Sequence, residues 1–92
     1  MQDERFLLQP CRTSAAYEAF PKRRTRVDLA LAERKLRAAG IEVLHNASVL
    51  LLVRGACEAS VFENGKVLLK TTDRAIAQSE ASRILGVLEA MA

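Results

Sequence analysis

Residues Val61–Asp73 read VFENGKVLLKTTD, and how this stretch turns decides the fold. Asn64-Gly65 stands between two apolar, alternating runs, which marks a β-hairpin. A loop of Asn64-Gly65 alone would pair Glu63 with Lys66 and leave both faces of the hairpin half apolar. A loop of Glu63-Asn64-Gly65, with Gly65 left-handed as in a G1 bulge, sorts the residues better. Ala59, Val61, Val67 and Leu69 then share one face, a core face. Glu58, Ser60, Phe62, Lys66, Leu68 and Lys70 share the other, with Glu58 opposite Lys70 as a favourable cross-strand pair. The three-residue loop is the register expected.

Upstream, Thr25-Arg26-Val27-Asp28 has the form of a capping box, with Thr25 as N-cap and Asp28 in the first turn. Leu29, Ala32, Leu36 and Ala39 form one helical stripe, Arg34, Lys35 and Arg37 suit its C-terminal end, and Gly40 stops it. IEVLH and VLLLVR read as strands separated by NAS, the second buried on both faces or nearly so. RGA at residues 54–56 makes the next turn, and CEASVF and KVLLKT are the hairpin arms. Thr72 or Asp73 caps a last helix whose stripe is Ala77, Ala81, Ile84, Leu88 and Met91, widened by Ile76 and Leu85. Gly86 in its interior implies a close neighbour.

The expected fold is therefore α+β: helix, four-stranded antiparallel meander, helix, with both helices on one sheet face. Residues 25–92 form this single domain and residues 1–24 an N-terminal arm. In the arm, ERFLLQPC reads as a short strand ended by Pro10. TSAAYEAFPKRRTR reads as a helical turn or irregular wrap, with Tyr17 and Phe20 pinning it to the core.

Composition bounds the function. The chain has 92 residues, half of them hydrophobic but only 4% aromatic, so one aliphatic core is expected. A net charge of +3 and a pI near 9.2 leave room for nucleic acid or an acidic protein as partner without requiring either. The opening MQDERFLLQPC does not read as a secretory signal, and the longest apolar run, VLLLV, is far short of a membrane span. A cytoplasmic protein with no membrane role is expected. Cys11 and Cys57 lack CxxC spacing and a companion Cys/His cluster, so reduced thiols are expected rather than a metal site or redox pair. His45 reads as a turn or surface histidine, Asn46-Ala47-Ser48 as a chance sequon, and Glu33 and Glu80 as solvated carboxylates. No nucleophile is paired with a base and no nucleotide-binding motif occurs, so neither an enzyme nor a cofactor is expected. The candidate binding residues are Ser60, Phe62, Lys66, Leu68 and Lys70 on the open hairpin face. Lys22, Arg23, Arg24 and Arg26 join them as a basic cluster suited to phosphate or an acidic surface.

Two resemblances follow from these landmarks. RVDLALAERKLRAAGIEVLHNASVLLLVRGACEASVFENGKVLLKTTD followed by RAIAQSEASRIL resembles the small C-terminal domain of bacterial ThiF/MoeB-type adenylyltransferases, which activate ubiquitin-like sulfur carriers. That domain has a V/L-D-L helix start, a Gly, an Asn before an apolar strand, then TVFPDGRALVKGT-D and an Ala-rich helix. Here Glu63-Asn64 replaces its Pro-Asp, Lys66 its Arg, and no Gly follows Lys70-Thr71. The adenylylating domain has no counterpart, so the resemblance implies a stand-alone accessory module whose partner is an adenylyltransferase or a sulfur carrier. VDLALAERKL and VFENGKVLLKTTD are also similar to the landmarks of one half of the TATA-binding protein. That likeness implies a nucleic-acid-binding homodimer working through its open sheet face, with Phe62 as a wedge between bases.

Overall fold

The computed structural model describes residues 5–12, 15–23 and 26–89. The chain is α+β, with six antiparallel strands in one open sheet and two helices. In chain order they are β1 (Phe6–Pro10), β2 (Tyr17–Pro21), α1 (Leu29–Ala38), β3 (Glu42–Asn46), β4 (Leu50–Arg54), β5 (Glu58–Phe62), β6 (Val67–Leu69) and α2 (Arg74–Glu89). The sheet order is β1-β2-β6-β5-β4-β3.

The hairpin that decides the fold turns through the three-residue loop. Ala59 pairs with Leu69, Ser60 with Leu68 and Val61 with Val67. Phe62 and Lys66 close the loop, the amide of Phe62 donating to the Lys66 carbonyl at 2.9 Å. Gly65 has φ +86°, a conformation that a Cβ would penalise, and its amide donates to the Phe62 carbonyl at 2.9 Å. The Asn64 side chain accepts from the Lys66 amide at 3.0 Å.

Helix α1 starts later than the capping box suggests. Asp28 is the N-cap, its Oδ1 accepting from Ala30 at 3.0 Å and Leu31 at 3.2 Å. The Val27 amide is held by the Glu63 carbonyl of the hairpin loop at 2.7 Å, so the chain stays extended up to Asp28. Thr25 lies outside the described residues. At the other end, Gly40 donates to Arg37 at 3.0 Å and Ile41 to Leu36 at 2.9 Å, a Schellman closure. In α2 the cap is Asp73, which accepts from Ala75 and Ile76.

The arm is the main correction. β1 and β2 pair as a second hairpin that joins the sheet, β2 pairing with β6, so the β3–β4–β5–β6 meander is extended to a six-stranded sheet by strands expected in the arm. Phe6, Leu8 and Ala19 belong to the one hydrophobic core. Tyr17 packs on that core as expected, but Phe20 points to the opposite face, because neighbouring residues of a strand alternate. Arg5 fastens this hairpin to α2, donating to the Ser82 carbonyl at 3.0 Å and pairing with Glu89 at 3.3 Å. Its guanidinium is the close neighbour of Gly86.

The sheet's buried apolar side chains share one parity, among them Leu8, Ala19, Val67, Leu69, Ala59, Val61, Leu51, Val53 and Val43. Leu29, Ala32 and Leu36 of α1, and Ala77, Ala81, Ile84, Leu85 and Leu88 of α2, close over them. The helices touch each other, α1 resting on β3 and β4, α2 on β6 and β2. Met91 lies outside the described residues.

Candidate docking face

Among the described residues the face of opposite parity carries no helix, and its side chains fall into three rows across the strands. The first row runs Leu7, Phe20, Lys66, Phe62, Leu50: Leu7 pairs with Phe20, Phe62 with Leu50, and the β2–β6 register continued by one residue sets Phe20 beside Lys66. The second is Gln9, Glu18, Leu68, Ser60, Leu52, His45. The third is Lys70, Glu58, Arg54, Glu42, with Lys70 donating its amide to Glu58 at 2.8 Å.

Five candidate residues therefore converge: Ser60, Phe62, Lys66, Leu68 and Lys70. Leu7 is 41% exposed, while Phe20, Leu50, Leu52, Phe62 and Leu68 are half-buried. Burying such side chains completely is worth up to roughly 1.5–3 kcal/mol each, so this face is apolar surface that folding leaves partly unburied. Ser60 is only 6% exposed, a small residue between Leu52 and Leu68.

Lys66 is not a loose cation. Its Nζ lies 3.0 Å from Glu18 Oε2, 4.8 Å from the Phe62 ring centre and 5.8 Å from that of Phe20. Glu18 and two aromatic faces hold the charge in place. Arg54 likewise bridges Glu42 at 3.2 Å. Among the described residues the face holds three acids, Glu18, Glu42 and Glu58, and three bases, Arg54, Lys66 and Lys70. Within the three rows these charges balance.

The basic cluster lies outside these three rows. Lys22 follows β2, its amide donating to the Arg5 carbonyl at 3.0 Å, and Lys22 and Arg23 are exposed beyond the strand. Arg26 lines an open depression at the start of α1 with Asp28, Asn46, Ser48 and Glu63. Arg24 lies outside the described residues.

Leu7, Glu18, Leu50 and Leu52 belong to the face without being candidates from the sequence, and so does Phe20, which the sequence assigns to the core. VLLLV reads as doubly buried, yet only Leu51 and Val53 are buried, whereas Leu50 and Leu52 reach the open face. The parity of β5, once its register is known, is the signal that assigns them.

A second cluster sits between the β4–β5 turn and α2. Glu80, expected in solvent, is 4% exposed, with Oε1 3.6 Å from Arg83 and Oε2 without a partner. It lies over Gly55, where the missing side chain makes room for the carboxylate. Burial and then the Glu80 charge push the Cys57 thiol above its ordinary value of 9.0, which makes it a poor nucleophile at neutral pH. Glu33 is held by Arg37 at 3.1 Å and by the Asn46 amide at 3.1 Å. Those hydrogen bonds, Asn46 first, draw its carboxyl below 4.5. No disulfide joins Cys11 and Cys57. Among the described residues no three His, Cys, Asp or Glu side chains come together as metal ligands, and no helix is long and apolar enough to cross a membrane.

Comparison with protein-family models, with curated proteins and with solved structures returns no match.

Proposed function

We propose that this chain is a non-catalytic protein-docking module whose working surface is the open sheet face, and that its occupant is an apolar, electrically neutral protein surface. The state of Lys66 carries the proposal. The lysine at the centre of the apolar row is engaged by Glu18, Phe20 and Phe62, so the face offers apolar area without net positive charge. Nucleic-acid docking would need the reverse, because affinity for a polyanion comes chiefly from cations that displace its counterions. The resemblance of residues 26–88 to the tail domain of ThiF/MoeB-type adenylyltransferases supports a sulfur-carrier system as the setting, with an adenylyltransferase or a carrier as the heterologous partner.

The test is a calorimetric titration with a ThiF-type adenylyltransferase and with a ubiquitin-like sulfur carrier, beside anisotropy titrations with duplex DNA and single-stranded RNA. The proposal expects binding to one of the two proteins that persists when salt rises from 50 to 300 mM, since an apolar contact is little screened. It expects that binding to be lost in Phe62→Asp. Steeply salt-dependent binding to nucleic acid that Phe62→Asp abolishes would overturn it.

A further inference from the structure

We infer that the open face is covered by a second copy of this chain, packed sheet on sheet about a two-fold axis running along the strands between β5 and β6. The inference rests on the docking role proposed for this face and names its resting occupant; a heterologous partner would compete with the second copy.

Area is the first support. Six strands spaced about 4.8 Å apart, five of them five residues long and β6 three, span at most roughly 29 by 17 Å, up to about 500 Å² of projected face. Two copies together would bury about 1,000 Å², the threshold of a specific interface and the range of a weak, reversible one.

Charge is the second. A two-fold along the strands keeps each row facing itself while exchanging β6 with β5, β2 with β4 and β1 with β3. The third row alternates in sign, Lys70, Glu58, Arg54, Glu42, so Lys70 meets the partner's Glu58 rather than a like charge. In the first row Lys66 lies over the partner's Phe62 and Phe20 over the partner's Leu50. Rows whose charges balance do not repel their own copies, although the whole chain carries +3.

Relief is the third. In the second row the same axis sets Leu68 over the partner's Ser60, the small residue flanked by leucines. The bulky side chain meets the hollow twice by symmetry, as interleaved sheet packing at about 10 Å requires.

The strand edges are less suited to pairing two copies. β1 ends in Pro10, which has no amide to donate, and the β3 ladder is interrupted by a bulge between Val43 and His45.

Sedimentation velocity from 2 to 400 μM tests this. The expected result is a reversible monomer–dimer equilibrium with Kd between about 1 and 100 μM, the range for an interface of this size. Leu68→Asp should leave only monomer at 400 μM. Lys70→Glu, at an exposed position, should keep the parent circular dichroism spectrum and raise Kd about tenfold by opposing like charges at both symmetric sites. Adding Glu58→Lys to Lys70→Glu should bring Kd back to within about threefold of the parent chain, as expected when a charge pair is restored in reverse. A chain that stays monomeric at 400 μM overturns the inference, as does a dimer that Lys70→Glu and Leu68→Asp both leave intact. The docking role fails separately, by the titrations with carrier and adenylyltransferase.

Discussion

The buried carboxylate of Glu80 makes Gly55 a position where one methyl group should matter, and in a way that depends on a residue 25 positions away. A Cβ on Gly55 would overlap Glu80 Oε2 and stand 3.0 Å from its Cδ and 3.3 Å from Arg83 Nη1. The Glu80 side chain is only 5% exposed, so it cannot swing aside without leaving its site. The alternative is opening of the β4–β5 turn, closed by the Gly55 amide on the Cys57 carbonyl at 3.1 Å. Overpacking of this kind costs about 1–3 kcal/mol. Gly55 is not among the residues with positive φ, so its backbone itself accepts alanine. Where the carboxylate is absent, Gly55→Ala should therefore stabilise by about 0.4–1 kcal/mol through the unfolded chain. The substitution should change sign between backgrounds, with a coupling of about 1.4–4 kcal/mol. Urea unfolding followed by circular dichroism, on the parent chain, Gly55→Ala, Glu80→Ala and the double variant, measures it. In heat, Gly55→Ala alone should lower Tm by roughly 5–15 °C for a domain of this size. Equal costs of Gly55→Ala in both backgrounds, within about 0.5 kcal/mol, would refute the reasoning.

Ser48 holds φ +72° in the β3–β4 loop, a conformation that costs a non-glycine residue about 1 kcal/mol or more, so Ser48→Gly should stabilise slightly in the same urea assay, while Ser48→Val should destabilise. Gly65→Ala, at φ +86° in the hairpin loop, should cost about 1–2 kcal/mol, and a neutral result would contradict the three-residue loop. Glu33 has its carboxyl drawn below 4.5 by Asn46 and then Arg37, so the stability it adds is present above its unfolded value and is lost as pH falls through the folded one. A carbon-detected NMR titration should place its midpoint below 4.5, and Asn46→Ala should move that midpoint upward.

Much of the architecture was legible because glycine, caps and alternation agreed in the second half of the chain. Gly65 with the apolar parity of Val61, Val67 and Leu69 sets the hairpin register, and the helical stripes follow from their spacing, except that Ala39, expected in the α1 stripe, is its exposed C-cap. The first hairpin was not legible. In Ala15-Ala16-Tyr17-Glu18-Ala19-Phe20 the alanines favour helix, and Phe20 blurs the alternation by lying on the open face. Pairing to β6, a contact made across more than forty residues, overrides that local preference. The same cause hid half of the docking face. A sheet side that stays apolar in Leu50 and Leu52 looks like a strand buried on both sides, because sequence records polarity and not what covers it. Glu80 was missed since a carboxylate on a helix ordinarily faces water, and only the absent side chain of Gly55 admits it to the interior.

Methyl carbon–proton NMR spectra recorded on dilution from 400 to 5 μM test the docking face most directly. The shifts of Leu50, Leu52 and Leu68 should move with concentration, while those of Leu36, Leu51 and Leu69, inside the core, should hold still. Shifts confined to residues along the β1 or β3 edge, or no shift anywhere, would contradict the claim that a second copy of this chain covers the open sheet face.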